Sequence, residues 1–99
     1  MQIIPIEDTP SQVVKVALAG QNCRIAIYQK STGLFCDVFV NDAAVVVGAL
    51  CLNLNKIMRA GYTGFVGDLF FQDGHGSADP SFPGLGSRFT LCYLEAGDQ

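Results

Sequence analysis

The chain contains one histidine, His75, within the segment Asp-Gly-His-Gly-Ser-Ala-Asp at 73–79. Asp73, His75 and Asp79 carry donor atoms that metal sites use, and the glycines between them would let a loop close around an ion. A calcium loop, however, needs more oxygen ligands at regular spacing, and a transition-metal site needs a second histidine or a cysteine nearby. We therefore interpret the segment as a solvated turn whose aspartates bond their own backbone, and we predict no metal and no cofactor.

Other nucleophiles lack the surroundings that catalysis requires. The serines closest to His75 in sequence are Ser77, Ser81 and Ser87. None of them stands in a Gly-x-Ser-x-Gly elbow. Cys23 has Arg24 beside it but lies within an alternating, strand-like segment, unlike an exposed reactive thiol. The sequence Gly-Leu-Gly-Ser at 84–87 precedes a predicted strand, whereas a phosphate cradle opens a helix. We expect no enzymatic activity.

Two-residue alternation of apolar side chains predicts an all-β fold. The predicted strands lie near residues 2–6, 12–19, 23–29, 34–40, 44–51, 64–72 and 87–95. The spacing at 54–60 predicts a helix of two turns at most, or an irregular crossover, and Pro80 and Pro83 indicate a loop at 73–86. We expect one domain over residues 1–99, an antiparallel meander forming a sandwich or a small open barrel, with 96–99 as a frayed tail.

Composition excludes several classes of protein. Hydrophobic residues make up 49% of the chain and charged residues 15%, against about 25% charged in an ordinary domain, so disorder is excluded. A net charge of −3 argues against nucleic-acid binding. The apolar run at 43–52 is too short to span a membrane, and the first residues do not resemble a secretory signal. We expect the chain to be made in a cytoplasm.

The apolar side chains exceed what one small domain is expected to hide. Phe35, Phe39 and Phe70 fall on strand faces opposite other large apolar residues, so either a barrel closes tightly or the outward face of the sheet meets another protein. The four cysteines, Cys23, Cys36, Cys51 and Cys92, show no Cys-x-x-Cys pair. We expect buried free thiols in a reducing compartment, with disulfides as the alternative.

Four stretches of the chain, taken together, resemble a known family. They are Met1–Ile6 leading through Ser11 and Gln12 to Leu18-Ala19-Gly20; the hairpin Cys23–Val40 with Asp37; Tyr62–Phe70; and Asp79–Arg88 running into Phe89–Leu94. In this order they resemble the small baseplate plug proteins of contractile-tailed bacteriophages and prophages. The likeness spans almost the whole chain. No catalytic or ligand residue of that family can be transferred to this sequence.

The resemblance implies a structural component of the virion. Such plugs lie on the tail axis at the baseplate, contact hub, spike and tube proteins, and help close the lumen until the tail contracts, after assembly in the host cytoplasm. The residues expected at protein contacts are Phe35, Phe39, Phe70, Phe82 and Leu85. Association of the chain with copies of itself is a further alternative. The alternative function is a small β-barrel module that binds a ligand or peptide in an apolar interior.

Overall fold

The structure is a computed structural model that describes residues 2–54, 57 and 67–95. Within these residues the fold is all-β, as predicted. Its strands are β1 (Gln2–Ile4), β2 (Ser11–Leu18), β3 (Gln21–Lys30), β4 (Gly33–Val40), β5 (Ala43–Leu50), β6 (Asp68–Asp73) and β7 (Phe89–Leu94). One 3-10 helix, Phe82–Gly84, lies in the predicted loop at 73–86. No helix among the described residues has the length and apolarity to cross a membrane.

The strands at residues 2–50 and 68–94 form two antiparallel sheets that do not close into a barrel. Four consecutive strands make one sheet in the order β2-β3-β4-β5, which is the predicted meander, and the other has the order β1-β7-β6. Buried side chains from both sheets belong to one hydrophobic core, which includes Ile25 and Val38 from the first sheet and Leu69 and Leu91 from the second. The fold is therefore a two-sheet sandwich.

Two turns of the four-stranded sheet use left-handed backbone conformations. The β2–β3 turn has Ala19 at φ 51° and Gly20 at φ 77°, and the β4–β5 turn has Asn41 at φ 50° and Asp42 at φ 66°. Positive φ at both central residues suits the twist of a two-residue hairpin. The first turn begins one residue earlier than the glycine-centred connector suggested by the sequence, because Ala19 also adopts the left-handed region.

Alternation places the core side chains of the meander as predicted. Cys23, Ile25 and Ile27 on β3 are buried, and so are Leu34, Cys36 and Val38 on β4. The intervening residues point to the outer face and are half-buried. A slip of one residue in register would exchange these two sets, so the hydrophobic pattern excludes it, and the turn selects among the remaining registers.

The segment after β5 runs beside β6. Asn53 forms a parallel bridge with Phe71, Leu54 N–H donates to the Phe71 carbonyl at 2.8 Å, and Ile57 N–H donates to the Leu69 carbonyl at 2.8 Å. These contacts cover the outer edge of β6. The rest of the segment 54–60, where a short helix was predicted, lies outside the described residues, as do positions 64–66 of the predicted sixth strand.

Candidate docking surface

The Asp-Gly-His-Gly loop is organised by one buried carboxylate. The Asp73 side chain has no exposed surface and accepts hydrogen bonds from the backbone N–H groups of His75 and Ala78, each at 2.8 Å. Arg88 adds two more, from Nε and Nη2, each at 2.9 Å. The Arg88 guanidinium is the main cause that holds the pKa of Asp73 far below its usual value. Asp73 thus holds the loop to the strand that follows it.

The other members of the suspected metal cluster point elsewhere. Asp79 Oδ1 accepts the Asn53 N–H at 3.0 Å, and the His75 side chain is exposed. In the part of the chain that the structure describes, no three His, Cys, Asp or Glu side chains are placed to hold a metal ion. Asp73 bonds the backbone of its own turn, as interpreted, but it is buried rather than solvated. Asp79 instead bonds the backbone of Asn53.

All four cysteines are buried and free, as the sequence predicts. Burial raises the pKa of the Cys23 and Cys92 thiols. A hydrogen bond with Cys36, together with burial, raises the pKa of Cys51. A thiol with a raised pKa carries little of the reactive thiolate at neutral pH. These side chains therefore serve as small hydrophobic residues.

The outer face of the four-stranded sheet carries three aromatic rings, Tyr28, Phe35 and Phe39, which we call the aromatic face. The Tyr28 and Phe35 rings stack with centroids 6.2 Å apart and an interplanar angle of 17°. Lys30 Nζ lies 5.5 Å from the centroid of each of these two rings, and the Arg24 guanidinium lies 4.4 Å from the Phe39 centroid. All three rings are half-buried in the isolated chain. The surface therefore combines aromatic rings with the cations of Arg24 and Lys30.

Asp37 fixes the middle of this surface. Its Oδ1 accepts the Tyr28 hydroxyl at 2.8 Å and the Gly48 N–H at 2.7 Å. The first of these bonds is the main reason that the pKa of Tyr28 rises to about 12. Gly48 has φ 70° and lies where the β4–β5 register shifts between Cys36 and Val38. One carboxylate therefore connects β3, β4 and the irregular edge strand β5.

Exposed aliphatic residues surround the aromatic face. Leu50, 44% exposed, is the cross-strand partner of Phe35, and Val13, 59% exposed, is the partner of Ala26. Val47 on β5 is 68% exposed. Single exposed aliphatics are ordinary, but their position beside three rings enlarges one apolar area.

The five residues predicted at contacts fall in different places. Phe35 and Phe39 lie on the aromatic face. Phe70 lies on β6 in the other sheet, where it is half-buried and pairs with Cys92. Phe82 packs partly against the core, and its N–H donates to Gln29 Oε1 at 3.1 Å. Leu85 is only 2% exposed and belongs to the core, so its side chain is not available to a partner in this conformation.

Tyr28 and its cationic neighbours were not predicted as contact residues from the sequence. Alternation already placed Tyr28 on the face opposite Cys23 and Ile25, so the outward position could have been read from the sequence. The stacking on Phe35 depends on the β3–β4 register, in which Tyr28 pairs with Phe35. That register is fixed by the turn between Lys30 and Gly33, which the pattern of apolar residues locates only approximately.

Two surface grooves accompany these features, and both are open to solvent. One, of about 540 Å³, lies at the end of the four-stranded sheet near Lys15 and Arg24. The other, of about 430 Å³, lies beside His75, Ser81 and Arg88. The second brings the histidine near two serines, but we find no hydrogen bond from the His75 ring among the described residues that would activate either hydroxyl.

Two antiparallel sheets around one core, with aromatic side chains on an outward sheet face, define an all-β protein suited to protein contact. The family model described as cyanophage baseplate Pam3 plug gp18 matches residues 1–96. The chain belongs to this family of phage baseplate plug proteins. No curated protein matches it. Membership makes the chain a structural component of the phage tail that interacts with other tail proteins.

Proposed function

We propose that the chain docks on the tail axis, at the hub and the end of the tube, and helps close the lumen until the tail contracts. It acts by contact and occlusion, without catalysis. Family membership supports the baseplate assignment, and the aromatic face is the observation that carries the docking mode. The chain is made in the host cytoplasm and is assembled into the virion.

The aromatic face has the composition of an interface centre. Aromatic residues and arginine are enriched in such centres, and a few buried rings supply most of the binding free energy. Phe35 and Phe39 project from β4, with Lys30 Nζ 5.5 Å from the first ring centroid and the Arg24 guanidinium 4.4 Å from the second. Contacts that restrict a ring before binding reduce the side-chain entropy lost when a partner covers it. Hub, spike and tube proteins are the proposed partners, with Phe70 and Phe82 as secondary contacts.

Binding of a ligand inside a barrel has no support from the described residues. The sheets do not close, and the space between them is filled by side chains with no exposed surface, such as Cys36, Val38 and Leu91. An interior site would need an enclosed space of several hundred Å³. We therefore propose only the docking function.

The test is binding of the purified chain to the hub, spike and tube proteins of its own phage. We expect wild-type chain to bind at least one of them, and the double variant Phe35→Ser, Phe39→Ser to bind about 100-fold more weakly, because each ring acts as a hot spot. Leu54→Ser is the control, since Leu54 is 60% exposed and its N–H bonds the Phe71 carbonyl on β6, in the other sheet. The affinity of this variant should change by less than about twofold.

Both variants must unfold cooperatively in a circular dichroism melt before binding is compared. Unchanged affinity in the folded double variant would overturn the aromatic face as the docking surface. Failure of the wild-type chain to bind any of the three proteins would overturn the docking function itself.

A further inference from the structure

β2 is an open edge of the four-stranded sheet. It pairs with β3 on one side and with no other strand among the described residues. The opposite edge, β5, is irregular, with two register shifts. In the other sheet, β6 is covered by Asn53, Leu54 and Ile57, and β1 has only three residues. Among the strands of the described residues, β2 is thus the long, regular edge that could accept another strand.

The turn determines which backbone groups of β2 are free. In a two-residue hairpin the residues flanking the turn form a hydrogen-bonded pair, here Leu18 and Gln21. Pairs then alternate along the ladder, so the N–H and C=O groups of Val13, Lys15 and Ala17 point away from β3. The Gln29 N–H bonds the Pro10 carbonyl at 2.8 Å, as this alternation requires. The edge therefore presents both donors and acceptors.

The outer side of this edge is positively charged. Lys15 lies directly opposite Arg24 in a close, non-hydrogen-bonded pair, where like charges are unfavourable. Arg24 is 3.6 Å from Asp42, but no acidic side chain of the described residues forms an ion pair with Lys15. The groove of about 540 Å³ runs along this pair, and its polar and charged lining comes from Lys15, Asn22, Arg24, Asn41 and Asp42.

We propose that an extended, acidic segment of another tail protein adds to β2 as a fifth strand, with a carboxylate between Lys15 and Arg24. This proposal rests on the docking function above and specifies one of its contacts. Strand addition supplies main-chain hydrogen bonds for affinity, while side-chain contacts give specificity. The carboxylate would relieve the repulsion between the two cations, which the isolated chain leaves only partly compensated.

Two other occupants fit the edge less well. A nucleic acid offers phosphate acceptors but cannot satisfy the carbonyl groups of Val13, Lys15 and Ala17 as a peptide backbone can. A second copy paired through its own β2 would bring two Lys15 and Arg24 pairs together on one face, which adds repulsion. An acidic peptide segment satisfies both the backbone and the charges.

The test is amide hydrogen exchange of the full chain, alone and bound to whichever of the hub, spike and tube proteins it binds. The amides of Val14 and Val16 are bonded to β3 and should be protected in both states. Those of Val13, Lys15 and Ala17 should become protected only in the complex, since they bond only to an added strand. This alternating pattern would not arise from a partner that merely covers the aromatic face.

Two variants test the charge contribution. Lys15→Glu creates a favourable pair with Arg24, so the isolated chain should melt at the same temperature as wild type or higher, yet bind the tail protein about tenfold more weakly. Lys15→Gln should weaken binding by a smaller factor. Gln72→Glu is the matched control for Lys15→Gln, because each makes the chain one unit more negative. Gln72 is an exposed residue of β6. The affinity of the Gln72→Glu variant for the tail protein should stay within about twofold of wild type.

Each contrary outcome is distinguishable. Binding by wild type without new protection at Val13, Lys15 and Ala17 would overturn the strand addition and leave the docking function standing. Absence of wild-type binding to all three proteins would overturn both. Concentration-dependent dimers of the isolated chain with the same alternating protection would assign the edge to a second copy. Binding of a single-stranded oligothymidine that Lys15→Glu abolishes would assign it to nucleic acid.

Discussion

The two sheets of this protein are assembled in different ways. The four-stranded sheet comes from one continuous stretch, residues 11–50, in which each strand pairs with the next. The three-stranded sheet brings residues from opposite ends of the chain together, since Gln2–Ile4 pair with residues 91–93. Sheets made of adjacent strands form from local contacts. Pairing of strands distant in sequence first requires closure of a long loop, which has an entropic cost.

Side chains that bond backbone compensate for this difference in the second sheet. Asn53 Oδ1 accepts the Asp73 N–H at 2.9 Å, Asp79 accepts the Asn53 N–H, and Asp73 binds Arg88 and its own loop. Alternation and turns locate the strands of the first sheet, where Asp37 is the polar side chain that links three of them, whereas the second sheet depends on several polar residues distant in sequence.

The largest expected effect concerns the core that both sheets share, and it should destabilise the two sheets together. Phe71 on β6 is 1% exposed, so Phe71→Ala should cost about 3–5 kcal/mol through lost burial and a residual cavity. Chemical denaturation followed by hydrogen exchange should show loss of protection in both sheets. Leu54→Ala, at a position 60% exposed, should cost less than about 0.5 kcal/mol. Loss confined to β6 and β7 would mean that the sheets unfold independently.

The second effect should be confined to the three-stranded sheet and its loop. Asp73→Asn keeps the size of the side chain but removes the charge that receives Arg88, and it should lower the melting temperature by less than Phe71→Ala does. Hydrogen exchange should accelerate in residues 74–94 and remain slow in β3 and β4. Asp42→Asn is the control, because the Asp42 side chain is 90% exposed and surface ion pairs contribute little. Equal acceleration in both sheets would contradict the role given to Asp73.

The same carboxylate predicts a pH dependence. In the folded chain the pKa of Asp73 lies well below its ordinary value of 3.8. The ionised carboxylate therefore contributes its full stabilisation above the unfolded-state pKa. That contribution is lost as the pH falls through the folded-state pKa. The difference in melting temperature between wild type and Asp73→Asn should be constant from pH 7 to about pH 5 and shrink below about pH 4. A difference that grows on acidification would contradict the assignment.

The smallest effect concerns the four-stranded sheet. Asp37→Asn removes the charged acceptor of the Tyr28 hydroxyl, so the pKa of Tyr28 should fall from about 12 toward the ordinary value of about 10. Because the folded pKa is the higher one, wild-type stability from this bond is present below pH 10 and declines as the pH rises toward 12. Nuclear magnetic resonance titration of the ring measures the shift. An unchanged pKa would remove Asp37 as its cause.

Most of the first sheet could be predicted from the sequence. Alternation located β2 to β5 to within two residues and separated inward from outward positions, as at Ile25 and Arg24. Period-two patterns carry this information because successive side chains point to opposite faces. The shift of the first turn to Ala19 was not predictable, since alanine disfavours positive φ.

The candidate site was predictable only in part. Phe35 and Phe39 followed from alternation, but Leu85 was expected at a contact and is buried, because the 3-10 helix at Phe82–Gly84 returns it to the core. No periodicity marks such an irregular loop. The Asp73 and Arg88 pair was also missed, since it joins two positions whose proximity depends on the β6–β7 register.

The position proposed for this chain is the tail axis at the baseplate, where it closes the lumen through protein contacts. Electron cryomicroscopy of the assembled tail before contraction would show this position. We expect density for the chain on the axis at the end of the tube, with Phe35 and Phe39 covered by another tail protein. A lumen blocked by other proteins, with this chain at the periphery or with its aromatic face in solvent, would contradict it.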